Sequence, residues 1–174
     1  CACHWTVNVA AASGHGRLNR DVDSVAPSGI FVAPDSAVRN PADLANVPIS
    51  VGFQSGSHYA SIQSLESYMP KEQINLSFND GMLFKRMELL LDGKIPAATL
   101  FSGPYYLAEQ LGFRKIIDNT FMIATMIHGD PDPEDLRKYF TALKRAQRDL
   151  DLRPEGPQGT LVVNSMRNPF IVSV

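Results

Sequence analysis

Cys1-Ala2-Cys3-His4 is the chemically sharpest stretch of the sequence. Cys1 carries a thiol and an α-amino group on one residue, and that amine, with an ordinary pKa of about 7.7–8.0, can act as base to its own nucleophile. His4 is placed to orient or protonate. One residue separates Cys1 from Cys3, a spacing at which a mutual disulfide would be badly strained, so both read as free thiols or ligands and a disulfide scaffold is excluded. On a strand, neighbouring side chains point to opposite faces. Cys1 and Cys3 would then share a face while Cys3 and His4 would not, which makes Cys1 the expected reactive group. Autocatalytic cleavage leaves such a terminal Cys, but so do lipoprotein processing and a chain boundary of no chemical meaning, and a buried thiol pair beside a core histidine has the same spelling. A Cys-x-Cys-His metal site lacks a nearby fourth ligand, His15 and His128 being distant, and neither metal nor cofactor is expected.

Three further groups bear on binding. His15-Gly16-Arg17 with Arg20 makes a positive, glycine-loosened loop, readable as an anion contact or as an ordinary exposed basic loop. Ser55-Gly56-Ser57-His58 precedes a helical run, so free backbone N–H groups and the positive end of the helix dipole favour an anion there; plain capping by Ser57 is the bland alternative. Ser102, Tyr105 and Tyr106 follow a buried strand, where open α/β sheets keep cleft residues, although Tyr106 is better suited to aromatic packing.

The elements that position these residues alternate short β-like runs with helical runs, the pattern of an α/β domain. Gly29–Ala33 reads as a buried strand, and Asn40-Pro41 as a cap with Pro at the first helical position of a short helix holding Leu44. Ile49–Phe53 is the next strand, followed by the Ser55–His58 loop and a helix over about residues 58–68. Ile74–Phe78 alternates like a half-exposed strand. Asp80 then caps a helix with Leu83, Met87, Leu90 and Leu91 on its apolar face, and Gly93 ends it. Ala97–Phe101 is a buried strand leading through Ser102-Gly103-Pro104 into a helix over 105–111 that Gly112 stops. Asp132-Pro133 opens the longest helix, to about residue 150, with Leu136, Phe140, Leu143 and Leu150 as its buried stripe and Arg153-Pro154-Glu155-Gly156 as its stop. The tail, 160–174, is apolar enough to pack.

At 174 residues the chain is long enough for a real core without staples. Its 44% hydrophobic and 20% charged residues and net charge of −2 are those of an ordinary globular protein and give no basic excess for nucleic acid. No apolar run approaches the roughly 20 residues that span a bilayer.

The segment GIFVAPDSAVRNPADLANVPISVGFQSGSHY, residues 29–59, resembles the middle of the nitrate/sulfonate/taurine solute-binding proteins and their thiamine-pyrimidine-synthase-like relatives. The resemblance continues through MELLLDGKIPAATLFSGPYYLAEQLGF to the "RPE" after the long helix, about residues 29–155 in all. Asn46 and Pro96 stand where that family usually has Gly and Asp. The resemblance implies a two-lobed periplasmic-binding-protein-like fold with mostly parallel sheets and flanking helices, with residues 1–33 in lobe 1, 34–124 in lobe 2 and 125–174 returning to lobe 1. It implies ligand contact by Ser55, Ser57 and His58, with Gly56 in the same loop, and, by analogy with desulfinases on this fold, a set formed by Cys1, His15 and Arg17. Family members open with a further strand–helix–strand unit, so lobe 1 is expected to be incomplete here, that unit having been cut away or, as expected, supplied by a companion chain.

Two functions follow as expectations. One is a hydrolase or lyase using Cys1, Cys3 and His4 on a small anionic or amide-bearing substrate, held by His15, Arg17, Ser55–His58, Ser102 and Tyr105; the other is a non-catalytic solute receptor of an ABC transporter. The compartment would be cytoplasmic for the first and periplasmic or extracellular for the second.

Overall fold

The computed structural model describes residues 2–79 and 83–152. Cys1, the Asp80 helix start, the Arg153–Gly156 stop and the tail at 160–174 lie outside the described residues, as do the side chains of Arg20 and Leu150. In chain order the elements are β1 (Ala2–Cys3), α1 (His4–Ala12), β2 (Arg17–Ala26), β3 (Ser28–Val32), a 3-10 turn (Pro41–Leu44), β4 (Ile49–Val51) and α2 (Gly56–Leu65). A second 3-10 turn (Lys71–Gln73), β5 (Leu76–Phe78), α3 (Leu83–Leu91), β6 (Ala97–Phe101), α4 (Ser102–Gln110), β7 (Arg114–Asp118), β8 (Phe121–Ile127) and α5 (Pro133–Leu152) follow. They divide into two compact units, residues 2–25 with 122–152 and residues 26–121.

In the first unit, β1, β8 and β2 form a three-stranded sheet, with Ala2 opposite Ala124 and Cys3 opposite Ile123. The strand at the amino end is only two residues long, because the Ala-rich run after it favours helix. α1 therefore begins at His4 and ends where Gly14 turns left-handed at φ 80°. Asp132 opens α5 as expected, its Oδ1 accepting from the N–H groups of Glu134 and Asp135. The expected buried stripe is corrected: Leu136 and Phe140 are half-buried and Leu143 is exposed, so none of the described side chains of α5 is fully enclosed.

The second unit is a five-stranded sheet in the order β5-β4-β6-β3-β7 between two helical layers. It is mixed rather than mostly parallel: β5–β4 and β4–β6 are parallel, while β6–β3 and β3–β7 are antiparallel. The connection from β3 to β4 holds only a 3-10 turn, which reverses the chain instead of carrying it across the sheet as a crossover helix does. Alternation along the strands builds the two cores. Ile30, Val32, Ile49, Val51 and Ala97 pack with Leu44, Leu65 and Met69 on one face; Phe31, Ala98 and Leu100 pack with Met87, Leu90, Tyr105 and Ala108 on the other. So α2 covers the first face, and α3 and α4 the second. Leu91 is corrected to the exposed side, one 100° step round the helix from buried Leu90.

Asn40 caps the first 3-10 turn with Asp43 returning the bond, the arrangement expected from Asn40-Pro41. α2 starts at Gly56, two residues before the expected His58, and α4 at Ser102 rather than Tyr105. Both helices thus begin within the segments that the sequence marks for binding.

Candidate functional site

The carboxyl ends of β4, β5 and β6 lie along one edge of the sheet, because these three strands run the same way. The chain leaves β4 for α2 on one face and β6 for α4 on the other, which makes the gap between these neighbouring strands a topological switch point. Pairing of β4 with β6 stops after Ser50–Ala98, and beyond it the two strands are no longer joined.

Into this position comes a side chain that the sequence reading passed over. Arg86 of α3 is 4% exposed, and its Nη1 donates to the Ser57 Oγ at 3.1 Å and to the Thr99 carbonyl at 2.9 Å. Its guanidinium carbon stands 5.8 Å from the Phe101 ring centre, and its Nε is buried with no hydrogen-bond partner. Among the described residues no carboxylate pairs with it. Burial alone pushes its pKa down to about 10, so the guanidinium stays charged at neutral pH, with no counter-charge beside it among the described residues. The signal was legible: Arg86 follows Leu83 by three residues and precedes Leu90 by four, a lone cation on the apolar face of its helix.

Ser55 and Ser57 form the lip above it. Ser55 donates to the Gly52 carbonyl at 2.7 Å, the two hydroxyls meet at 2.7 Å, and the Ser57 Oγ also accepts from the Gly52 N–H at 3.1 Å. Position 52 leaves little room for a side chain, since a Cβ there would stand 3.0 Å from the Ser55 Oγ and 3.3 Å from the Arg86 Nη2. With the hydroxyls engaged inward, no side chain caps α2, and none caps α4. The first amide N–H groups at both helix starts therefore lack a side-chain cap, while those of His58 and Tyr59 turn back to the Ser55 carbonyl. Gln54 and Ser102, on the two loops, hold left-handed backbones at φ 51° and 54°, costly for residues with a Cβ and found where a loop must present a particular surface.

His58 sits in the first turn of α2. Its Nδ1 accepts from the Gln54 N–H at 3.2 Å, which leaves the ring proton on Nε2, and burial lowers its pKa. Behind the lip runs a chain of buried hydroxyls and amides: Ser61 to Thr99 at 2.6 Å, Asn119 to Ser61 at 3.3 Å and Ser28 to Asn119 at 2.7 Å. Each member finds a partner, so the strip fixes α2 on the sheet without an unpaired polar group.

The other expected site residues lie elsewhere. Tyr105 is buried edge-on against Phe31 at 5.2 Å, and Lys115 of β7 donates to its hydroxyl, so it is a core residue of the second face. Burial raises the pKa of Tyr105, and that of Tyr106 to about 12. In the first unit the Cys3 thiol lies 3.0 Å from the Thr6 hydroxyl, and the His4 Nδ1 donates to the Met122 carbonyl at 3.0 Å. Arg17 pairs with Asp130 at 3.0 Å with both side chains exposed, and His15 offers its carbonyl, not its ring, to the Nδ1 of His128 at 2.7 Å. The structure thus brings together Ser55, Gly56, Ser57 and His58, on the loop and first turn beside β4, with Ser102 at the end of the neighbouring strand. Among the described residues no three His, Cys, Asp or Glu side chains cluster as metal ligands, and no helix is long and apolar enough to cross a membrane.

No family model matches the chain, and no curated protein matches it. Solved structures do. The alkanesulfonate-binding protein of Xanthomonas axonopodis pv. citri, bound to MOPS, aligns with a TM-score of 0.66 at 16% identity, over 96% of this chain and 60% of its own. The periplasmic aliphatic sulphonate-binding protein of Escherichia coli aligns with a TM-score of 0.60 at 16% identity, over 94% of this chain and 59% of its own. The desulfurization enzyme DSZB aligns with a TM-score of 0.54 at 13% identity, over 71% of this chain and 53% of its own. The chain therefore has an α/β fold of the periplasmic-binding-protein-like kind, shared by solute-binding proteins and an enzyme, and spans about three fifths of the length of the first two.

Proposed function

We propose that this chain is the ligand-gripping part of a receptor for a small oxyanion, a sulfonate in kind, whose head group sits at the switch point between β4 and β6. The observation that carries the reading is Arg86: a guanidinium 4% exposed, bound to Ser57 and Thr99 yet with no carboxylate beside it among the described residues. A buried cation of this kind is costly until an anion joins it. The uncapped starts of α2 and α4 add N–H donors and dipoles of matching sign. The sulfonate class is carried over from the names of the two solute-binding neighbours, and it fits a head group that accepts several hydrogen bonds at once.

The enzymatic alternative, a hydrolase or lyase built on Cys1, has less support. The Cys3 thiol is turned to Thr6 and His4 to a backbone carbonyl, so neither serves the other as nucleophile and base. A companion polypeptide belongs to the same proposal: α5 carries Leu136, Phe140 and Leu143 on one side and encloses none of them, which is the surface such a partner would cover.

Calorimetric titration with methanesulfonate tests the reading. Arg86→Met is expected to lower affinity more than tenfold. Its melting temperature should move by only a few degrees, since relief of an unpaired buried charge offsets the bonds lost by Ser57 and Thr99, and ~1 kcal/mol corresponds to roughly 2–4 °C at this size. An unchanged affinity in a folded Arg86→Met chain would remove the proposed site.

A further inference from the structure

Three exposed or half-exposed aromatic rings meet beside the proposed anion site. Phe53 lies two residues beyond β4 and is 65% exposed; Phe78 ends β5 and is 45% exposed; His58 stands in the first turn of α2. Their ring centres lie 5.3 Å apart for Phe53 and Phe78, 5.9 Å for Phe53 and His58, and 4.9 Å for His58 and Phe78. Phe53 and His58 are nearly parallel, at 28°, while Phe78 stands across both at 90° and 77°. Phe53 and His58 are stacked, and Phe78 stands edge-on to the pair, so the three rings form an aromatic corner. Tyr59 extends it, stacked on His58 at 5.0 Å and 20°.

This corner is continuous with the proposed anion seat. Phe53 precedes Ser55 by two residues and His58 follows it by three, and the Gln54 N–H locks the His58 ring in place. Large rings left in water at a sheet edge, beside a cation and two uncapped helix starts, are surface that a ligand covers.

We propose that the ligand of this site is an aromatic sulfonate, its head on Arg86 and the α2 start and its ring in the corner of Phe53, His58 and Phe78. The inference rests on the anion reading above. Ring arrangement argues for an aromatic tail over an aliphatic one of equal size: a planar ring can stack on the exposed Phe53 or meet the exposed Phe78 edge to face, the two favoured aromatic geometries, whereas a puckered or flexible alkyl group gains only buried area.

Titration of the full chain with methanesulfonate, cyclohexanesulfonate and benzenesulfonate separates the possibilities, and the unmodified protein suffices for the main comparison. Benzenesulfonate is expected to bind at least fivefold more tightly than cyclohexanesulfonate. Phe53→Leu and Phe78→Leu should each erase most of that preference while leaving methanesulfonate affinity within twofold. Equal affinity for the two ring sulfonates overturns the aromatic assignment and leaves the anion site standing. A preference that survives both Leu variants also overturns it, as does self-association that the Leu variants abolish, since the corner would then be an interface between copies. If none of the three probes binds, the anion reading itself fails, and this inference with it.

Discussion

Arg86 and His58 show how burial shapes single residues at this edge. Arg86 keeps its charge at neutral pH although its pKa is pushed down to about 10, because the starting value lies so high. His58 begins near neutrality, so the same cause has a larger effect on its protonation: burial lowers its pKa from 6.5, and the ring in the aromatic corner is held neutral. The unfolded chain then binds this proton more readily than the folded one. The stability that neutral His58 contributes is complete above pH 6.5 and is lost as pH falls through the window beneath it. Melting curves from pH 8 to pH 5 are expected to fall more steeply for the natural chain than for His58→Gln, the difference isolating this group from the carboxylates; identical slopes would show that the ring is not desolvated. The sequence made the His58 loop visible through its Gly-Ser spelling before a helix. Arg86 stayed hidden because an Arg among leucines reads by default as a solvated position, and only its three- and four-residue spacing to Leu83 and Leu90 betrays the buried face.

Elements were legible where local chemistry decides them. Asn40-Pro41 foretold the 3-10 turn, since an Asn side chain and a Pro at the first position satisfy and preset that start. Replacing Asn40 by Ala removes the acceptor for the Ala42 N–H at 3.2 Å and is expected to cost about 1 kcal/mol by denaturant melting, with ligand affinity unchanged. A loss under a few tenths would mean that the Asp43 carboxylate, which accepts from Arg39 and Asn40, holds the turn unaided. Gly93 and Gly112, left-handed at φ 65° and 78°, likewise end α3 and α4 where the sequence says they should. Strand direction was not legible: the buried run of β3 looks the same parallel or antiparallel, and only the short path to β4 decides it. Thr99 was equally silent inside its apolar strand, since its partner Ser61 lies 38 residues away. The helix α1 was missed because His4–Ala12, though rich in Ala, buries only Val7 and shows little facial pattern.

At the scale of the molecule, the second unit is one stretch of sequence, 26–121, while the first draws on residues that precede and follow it in the chain. Its two ends lie side by side: the Asn119 N–H donates to the Ser28 carbonyl at 3.0 Å, and the Ser28 hydroxyl to the Asn119 side chain at 2.7 Å. The stretch is thus a cassette with its own hem, and everything assigned to the anion, from Gly52 to Ser102, is sewn inside it. During synthesis such a cassette has all its partners before the chain that follows has been made, while the first unit must wait for residues from 122 onward. Segments whose ends meet are also those that survive transplantation. Residues 26–121 expressed alone are expected to melt cooperatively and to bind methanesulfonate within about tenfold of the full chain. If the excised stretch remains unfolded by circular dichroism, the hem at Ser28 and Asn119 is too weak to close it, and the cassette depends on its host.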